Sequence, residues 1–238
     1  MSGRNFLSGL LLAAVVVVPA AAQDRVIGLL ALPEVHGSGQ CAAFEPEDVP
    51  LHALPNDGRT IAVIRVDRNW SFAPHGGCEG LEVSVHAGQE RHPLPTLEYD
   101  YEMPGAIVLE QRSGWFRIRL GKDGAWVQAS PVDRFLSLDQ LFEEFIGVTR
   151  VRDSVSGRLV VAPGRKPDPD SPAVKGGQSA RVIEIRNVFG ETWVQVEIAS
   201  HSLCDAAAKG PPDVIGQGWM LLYDSRGEPT IWFSSRGC

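Results

Sequence analysis

Apolar and polar positions alternate most regularly between Ile107 and Ser130. Ile107-Val108-Leu109 is an apolar run. Trp115, Arg117 and Arg119 then alternate with Phe116, Ile118 and Leu120, which gives one apolar face and one exposed face. Gly121-Lys122-Asp123-Gly124 reads as a hairpin turn, because Gly tolerates positive φ and Asp bonds its own backbone. Ala125-Trp126-Val127 returns, so the stretch predicts three short strands joined by two tight turns.

The pattern extends to both sides. Val49 to Gly58 reads as an extended segment ending in a turn, and Thr60 to Val66 as a strand rich in β-branched residues. Leu81 to His86 alternates like a strand and meets a turn at Ala87-Gly88. Residues 23 to 48 read as irregular, with Gly, Ser and Pro among them. After Ser130 the period changes: Phe135, Leu138, Leu141, Phe142 and Phe145 fall on one side of a helix. Ser137 and Gln140 form a capping-box signature, and Gly147 is a natural stop. This predicts a short connecting helix over 137–146.

The strand pattern then recurs. Leu159 to Pro163 repeats the spacing of Leu51 to Pro55. Arg181 to Arg186 parallels Ile107 to Arg112, and Trp193 to Ile198 parallels Trp115 to Leu120. Gly218-Trp219-Met220 parallels Gly124 to Val127. The second copy has a longer excursion between its two Trp residues, 199–216, and ends in a strand at Thr230 to Phe233.

Strand, turn, Gly-Trp, strand, Gly-rich turn and small residue-Trp-Val, in that order over Ile107 to Ser130, resemble the core of a bacterial SH3-type (SH3b-like) domain. The resemblance begins near Val49 and implies an all-β protein of two small SH3-like β-barrels. The first would span 23–147 and contain an inserted loop or hairpin, 67–105, where the family has a short connection. The second would span 148–238 and carry the loop 199–216. Leu97 to Tyr101 is similar to the ALYDY signature of eukaryotic SH3 domains, but Trp115 follows too soon after it, so the likeness is read as coincidence.

Residues 1–22 read as a signal peptide. Arg4 precedes the apolar run Phe6 to Val18, which is too short for a membrane span, and Pro19 and Ala20-Ala21-Ala22 follow. This implies a periplasmic or secreted protein with no membrane insertion after cleavage. The whole chain has 22 basic and 29 acidic residues; removal of Arg4 leaves 21 basic against 29 acidic. Such a balance argues against nucleic acid and anionic lipid as main ligands. The four cysteines, Cys41, Cys78, Cys204 and Cys238, are an even set in an exported chain, so disulfides are expected. Three pairings are possible. Two cysteines lie near the front and two at the back, which favours Cys41–Cys78 and Cys204–Cys238.

No catalytic pattern emerges. The six histidines are scattered, no CxxC or HExxH occurs, and no metal or cofactor is expected. Glu143 and Glu144 are adjacent, and neighbours on a helix do not face one another. The expected function is therefore non-enzymatic binding of a cell-envelope ligand, either a peptidoglycan peptide or an exported protein. SH3-type barrels bind through aromatic-lined grooves, and the resemblance implies Trp115 and Trp193 as groove residues, with Trp126 and Trp219 buried. Tyr99, Tyr101 and Tyr223 are further candidates. The alternatives are an accessory or inhibitory subunit of a periplasmic enzyme, using loops 67–105 and 199–216, and a hydrolase with a dispersed site.

Non-reducing peptide mass mapping of protein from an oxidising compartment is expected to show Cys41–Cys78 and Cys204–Cys238. Each bridge closes a loop of about 35 residues, so reduction is expected to cost about 3–4 kcal/mol per bridge in the chain-entropy view. A crossed pairing would break the two-module organisation.

Overall fold

The computed structural model describes residues 24–32, 48–68, 81–100, 103–128, 135–144 and 148–234. The leader, Cys41, Cys78, Cys238 and Tyr101 lie outside them. Cys204 has no free thiol.

The described chain is all-β apart from short helices, and every strand pairing is antiparallel. The first sheet uses β1 (Gly28–Ala31), β2 (Val49–His52), β3 (Thr60–Arg68), β4 (Leu81–Ala87), β5 (Glu90–Pro93), β6 (Thr96–Asp100), β7 (Met103–Arg112), β8 (Trp115–Ile118), β9 (Ala125–Gln128) and β10 (Phe135–Ser137). Its order is β10-β1-β7-β8-β9-β2-β3-β4-β5, with β6 also on β7. Helix α1 (Leu138–Glu144) leads to the second sheet. That sheet comprises β11 (Val148–Val151), β14 (Ser179–Val188), β15 (Glu191–Ala199), β16 (Val214–Leu221) and β17 (Ile231–Ser234), in the order β16-β15-β14-β11-β17. A separate hairpin pairs β12 (Ser156–Arg158) with β13 (Ala173–Lys175). Within 199–216 lie a 3-10 turn, Leu203–Asp205, and α2 (Ala206–Lys209).

Two expectations are corrected. Neither sheet closes into a barrel: β10 and β5 end one, and β16 and β17 end the other. Residues 67–105, expected as an inserted loop or hairpin, supply β4, β5 and β6: β4 and β5 carry the sheet outward from β3, and β6 pairs with β7. Second, the supposedly irregular front segment contains β1. Its sequence, GLLA, does not alternate because both faces are buried, and such strands read as unbroken apolar runs.

β1 and β7 together separate two cores. Leu29 and Ile107 enter one, and Leu30, Ala106 and Val108 enter the other. The first core also receives Val151, Val194, Val196, Ile198, Ile231 and Phe233 from the second sheet. The second core lies within the first sheet, around Leu51, Ile64, Val85, Phe116, Ile118 and Val127. Burying each such aliphatic side chain contributes about 1.5–3 kcal/mol. Helix α1 closes the shared core with Leu138 and Leu141. Its predicted capping box is present: Ser137 N–H donates to Gln140 Oε1 (3.0 Å), and Gln140 N–H donates to Ser137 Oγ (3.3 Å).

A polar clip joins the segment before β1 to the turn before β17. Val26 N–H donates to the Gly227 carbonyl (3.2 Å), and Tyr223 Oη donates to the Val26 carbonyl (2.8 Å). Glu228 receives both Arg119 (2.5 Å) and Arg152 (3.2 Å). Arg117 reaches Asp24 and Glu110. Its hydrogen bond holds the Asp24 carboxyl below the ordinary range.

Gly227 has φ +80, and a Cβ there would lie 2.6 Å from the Asp24 carbonyl oxygen. That neighbour is backbone and cannot swing away. Gly227→Ala is expected to cost about 2–4 kcal/mol from the left-handed strain and the clash together. Gly88 shares the conformation, at φ +62, but nothing lies near its Cβ position, so Gly88→Ala is expected to cost about 1 kcal/mol. Urea melts compare the two; equal losses would mean that the clip contributes nothing.

Candidate functional site

An open cleft of about 620 Å³ lies on the second sheet, within the range of small-ligand sites. β15 and β16 supply Trp193, Trp219 and Met220 to its wall, and the chain after β16 adds Tyr223. Arg158 comes from β12, Arg165 from the Pro-rich loop that follows it, and Arg226 from the turn before β17.

Local hydrogen bonds fix these parts. In the loop, Ser171 N–H donates to the Asp168 carbonyl (3.0 Å), Asp168 N–H to Ser171 Oγ (3.1 Å), and Asp170 N–H to Asp168 Oδ1 (2.9 Å). Arg158 Nη1 donates to the Ser171 carbonyl (2.6 Å), which ties β12 to the loop. The edge of β16 is pinned by paired bonds between Val160 and Trp219, both 2.8 Å. In the turn, Asp224 Oδ1 accepts from the N–H groups of Arg226 (2.8 Å) and Glu228 (3.0 Å), and Oδ2 accepts from the Arg226 guanidinium. Burial opposes the charge on Asp224, but these donors outweigh it and hold the carboxyl below its ordinary value.

Trp193, Trp219 and Val160 form a small core of their own, with Val188 packed against it. Arg186 stacks over Trp219, 5.1 Å from the ring centroid, and Arg25 over Tyr223 at 5.5 Å. Such stacking holds both arginines against the aromatics. The Trp193 Nε1–H is buried with no hydrogen-bond partner among the described residues. A buried donor left unpaired costs about 1–3 kcal/mol; His52 Nδ1 on the first sheet is likewise buried without a partner among the described residues.

The structure brings Trp193 and Tyr223 together in this cleft and places Tyr99 and Trp115 elsewhere, while Tyr101 lies outside the described residues. Tyr99 is buried on β6 in the shared core. Trp115 is buried on the first sheet, edge-on to His52 (5.1 Å between ring centroids, 87°), and donates to Asn56 Oδ1 at 3.1 Å. The expected contrast between Trp115 or Trp193 and Trp126 or Trp219 does not appear: all four are 5–7% exposed. Trp219 lines the cleft just as Trp193 does.

Arg158, Arg165 and Arg226 were not singled out from the sequence. The Pro-flanked Gly164-Arg165-Lys166 was the available signal, since a basic pair in a rigid loop of an acidic chain presents charge to solvent. Among the described residues no group of His, Cys, Asp and Glu side chains is placed to hold a metal, and no helix is long and apolar enough to cross a membrane.

Burial pushes the Tyr223 phenol up to about 12, against the pull of the Arg25 guanidinium. An unfolded tyrosine ionises near pH 10, so the folded state holds the proton more tightly. The resulting stability is complete below about pH 10 and is lost as the pH rises toward about 12. Tyr223→Phe is expected to remove this alkaline loss and, by leaving the Val26 carbonyl without the hydroxyl, to cost about 1 kcal/mol at neutral pH. Urea melts across that alkaline range check both effects; an unchanged pH dependence in the variant would assign the loss to another group. Against this geometry stands a negative result from comparison: no family model matches the chain, and neither does any curated protein or solved structure.

Proposed function

We propose that the protein is a non-enzymatic, exported binding module that recognises a cell-envelope ligand, a peptidoglycan peptide first of all, in the cleft beside Trp193. One observation carries this reading: three aromatic side chains and three arginines converge on one open cleft of a chain with an acidic balance. Aromatic walls stack on peptide and sugar-peptide surfaces at little entropic cost. The arginines add forked donors that orient a polar end.

The leader-like front and the cysteine pairs of the sequence fit an exported, disulfide-stapled protein. The SH3b-like motif of Ile107 to Ser130 supports the same class, because that motif belongs to modules that bind rather than catalyse. β7-β8-β9 and β14-β15-β16 are both three consecutive antiparallel strands, the second with the 199–216 excursion between β15 and β16, which supports a duplicated origin.

A second reading also has an observation behind it. Val214 and Ile215, at the end of the 199–216 excursion, are both more than half exposed. That apolar pair suits an accessory or inhibitory subunit that docks on a periplasmic enzyme.

Mature protein is expected to co-sediment with purified peptidoglycan at low salt, with weaker recovery as salt rises. The variant Val214→Ser/Ile215→Ser is expected to sediment like the wild type. Failure of the wild type to sediment would overturn the wall reading. Loss in the double variant alone would move the contact surface to the excursion.

A further inference from the structure

The hairpin between β14 and β15 turns through Phe189 and Gly190, whose φ values are +52 and +80. Glycine adopts such a backbone freely; a bulky aromatic residue does not, at a cost of about 1–2 kcal/mol. Phe189 gains no burial in return, since it is 92% exposed. The two-residue turn imposes that backbone, and the matching hairpin between β7 and β8 meets it with Ser113 and Gly114 at φ +46 and +80. What sets this turn apart is an exposed phenylalanine where a small polar residue serves, and strained residues without a packing role collect at functional positions.

Its neighbours connect it to the cleft. A Cβ at Gly164 would stand 3.6 Å from the Phe189 ring, so the ring lies against the turn that carries Arg165. On the other side, Arg25 Nη1 donates to the Gly190 carbonyl (3.4 Å) while stacking on Tyr223. Val188 packs on Trp193 and Trp219. The hairpin tip is therefore held at the rim of the cleft.

The charge at the rim is not neutralised. The lining includes Arg158, Arg165, Arg226 and Asp224. Asp224 is committed to Arg226, and Arg158 donates to a neutral carbonyl. Arg165 has no side-chain partner among the described residues. Positive charge left uncompensated over an aromatic wall favours an anionic group with an apolar body.

We infer that the cleft takes a peptide bearing a free carboxylate, with Arg165 pairing the carboxylate and Phe189 packing on the apolar part of the chain as it leaves the rim. The inference rests on the reading of this cleft as the ligand site.

Calorimetric titration of the mature protein tests it with diacetyl-L-Lys-D-Ala-D-Ala, whose single charge is its terminal carboxylate, and with the corresponding neutral amide. The acid is expected to bind about tenfold tighter than the amide or better. Arg165→Gln is expected to shrink that ratio to about threefold or less. Phe189→Gly is expected to weaken the acid severalfold while raising the melting temperature, because it relieves the turn. A merely structural phenylalanine could not give those opposite signs.

Equal binding of acid and amide would overturn the carboxylate assignment and leave the cleft as the ligand site. Unchanged affinity in Phe189→Gly would remove Phe189 from the contact. Competition by inorganic phosphate equal to that of the acid would show a general anion site and overturn the peptide assignment. Binding of neither peptide, with peptidoglycan sedimentation intact, would overturn this inference alone; loss of both would remove the module reading as well.

Discussion

The structure depends on two adjacent strands being buried on both faces. β1 and β7 pair from Gly28–Val108 to Ala31–Gly105 and divide the interior. Leu29 and Ile107 face the core shared with the second sheet, while Leu30 and Val108 face the core of the first. Strand geometry makes this division unavoidable, since successive side chains point to opposite faces. A register slip of one residue would exchange the two sets and misfit both cores together. The clip around Gly227, Val26 and Tyr223 then fixes where β1 enters.

What was legible from the sequence follows from how local its cause is. The strands and turns of Ile107 to Ser130 rest on alternation and on glycines, both short-range signals. The cap of α1 rests on two residues three apart. β1 was not legible, because a strand buried on both faces loses its alternation, and its four residues lie among glycines and prolines. Barrel closure was misread for another reason: whether β3 turns back onto β10 or goes on to β4 and β5 depends on pairings that periodicity does not encode. The tryptophans show the same limit. Trp115 and Trp193 hold equivalent places in the repeated pattern, yet one meets His52 and Asn56 on the first sheet and the other faces a cleft.

The cleft was legible only in fragments. Trp193 and Tyr223 stood out as aromatics, but the arginines beside them come from β12, a Pro-rich loop and a turn, spread over residues 158–226. The pairing of Val160 with Trp219 on β16, of β12 with β13, and of Tyr223 with Pro229 brings them together. In and beside the cleft lie an unpaired indole N–H and an aromatic residue at positive φ, and the first sheet has its own such places at His52, Asn56 and Ser113. Natural sequences are locally consistent except where another demand competes; a phenylalanine that is exposed as well as left-handed is found only at Phe189 among the described residues.

The Tyr223–Val26 hydrogen bond spans 197 residues, and the Arg25–Gly190 bond spans 165. Contacts this far apart in sequence are slow to form, because the entropy of closing the intervening chain is lost before any contact repays it. The shared core needs Leu29 from near the start of the described chain and Phe233 from near its end. During synthesis, the shared core can close only when nearly the whole polypeptide has emerged. The core within the first sheet draws only on buried residues from Leu30 to Val127, so it can close earlier, and the two cores form one after the other as the chain lengthens.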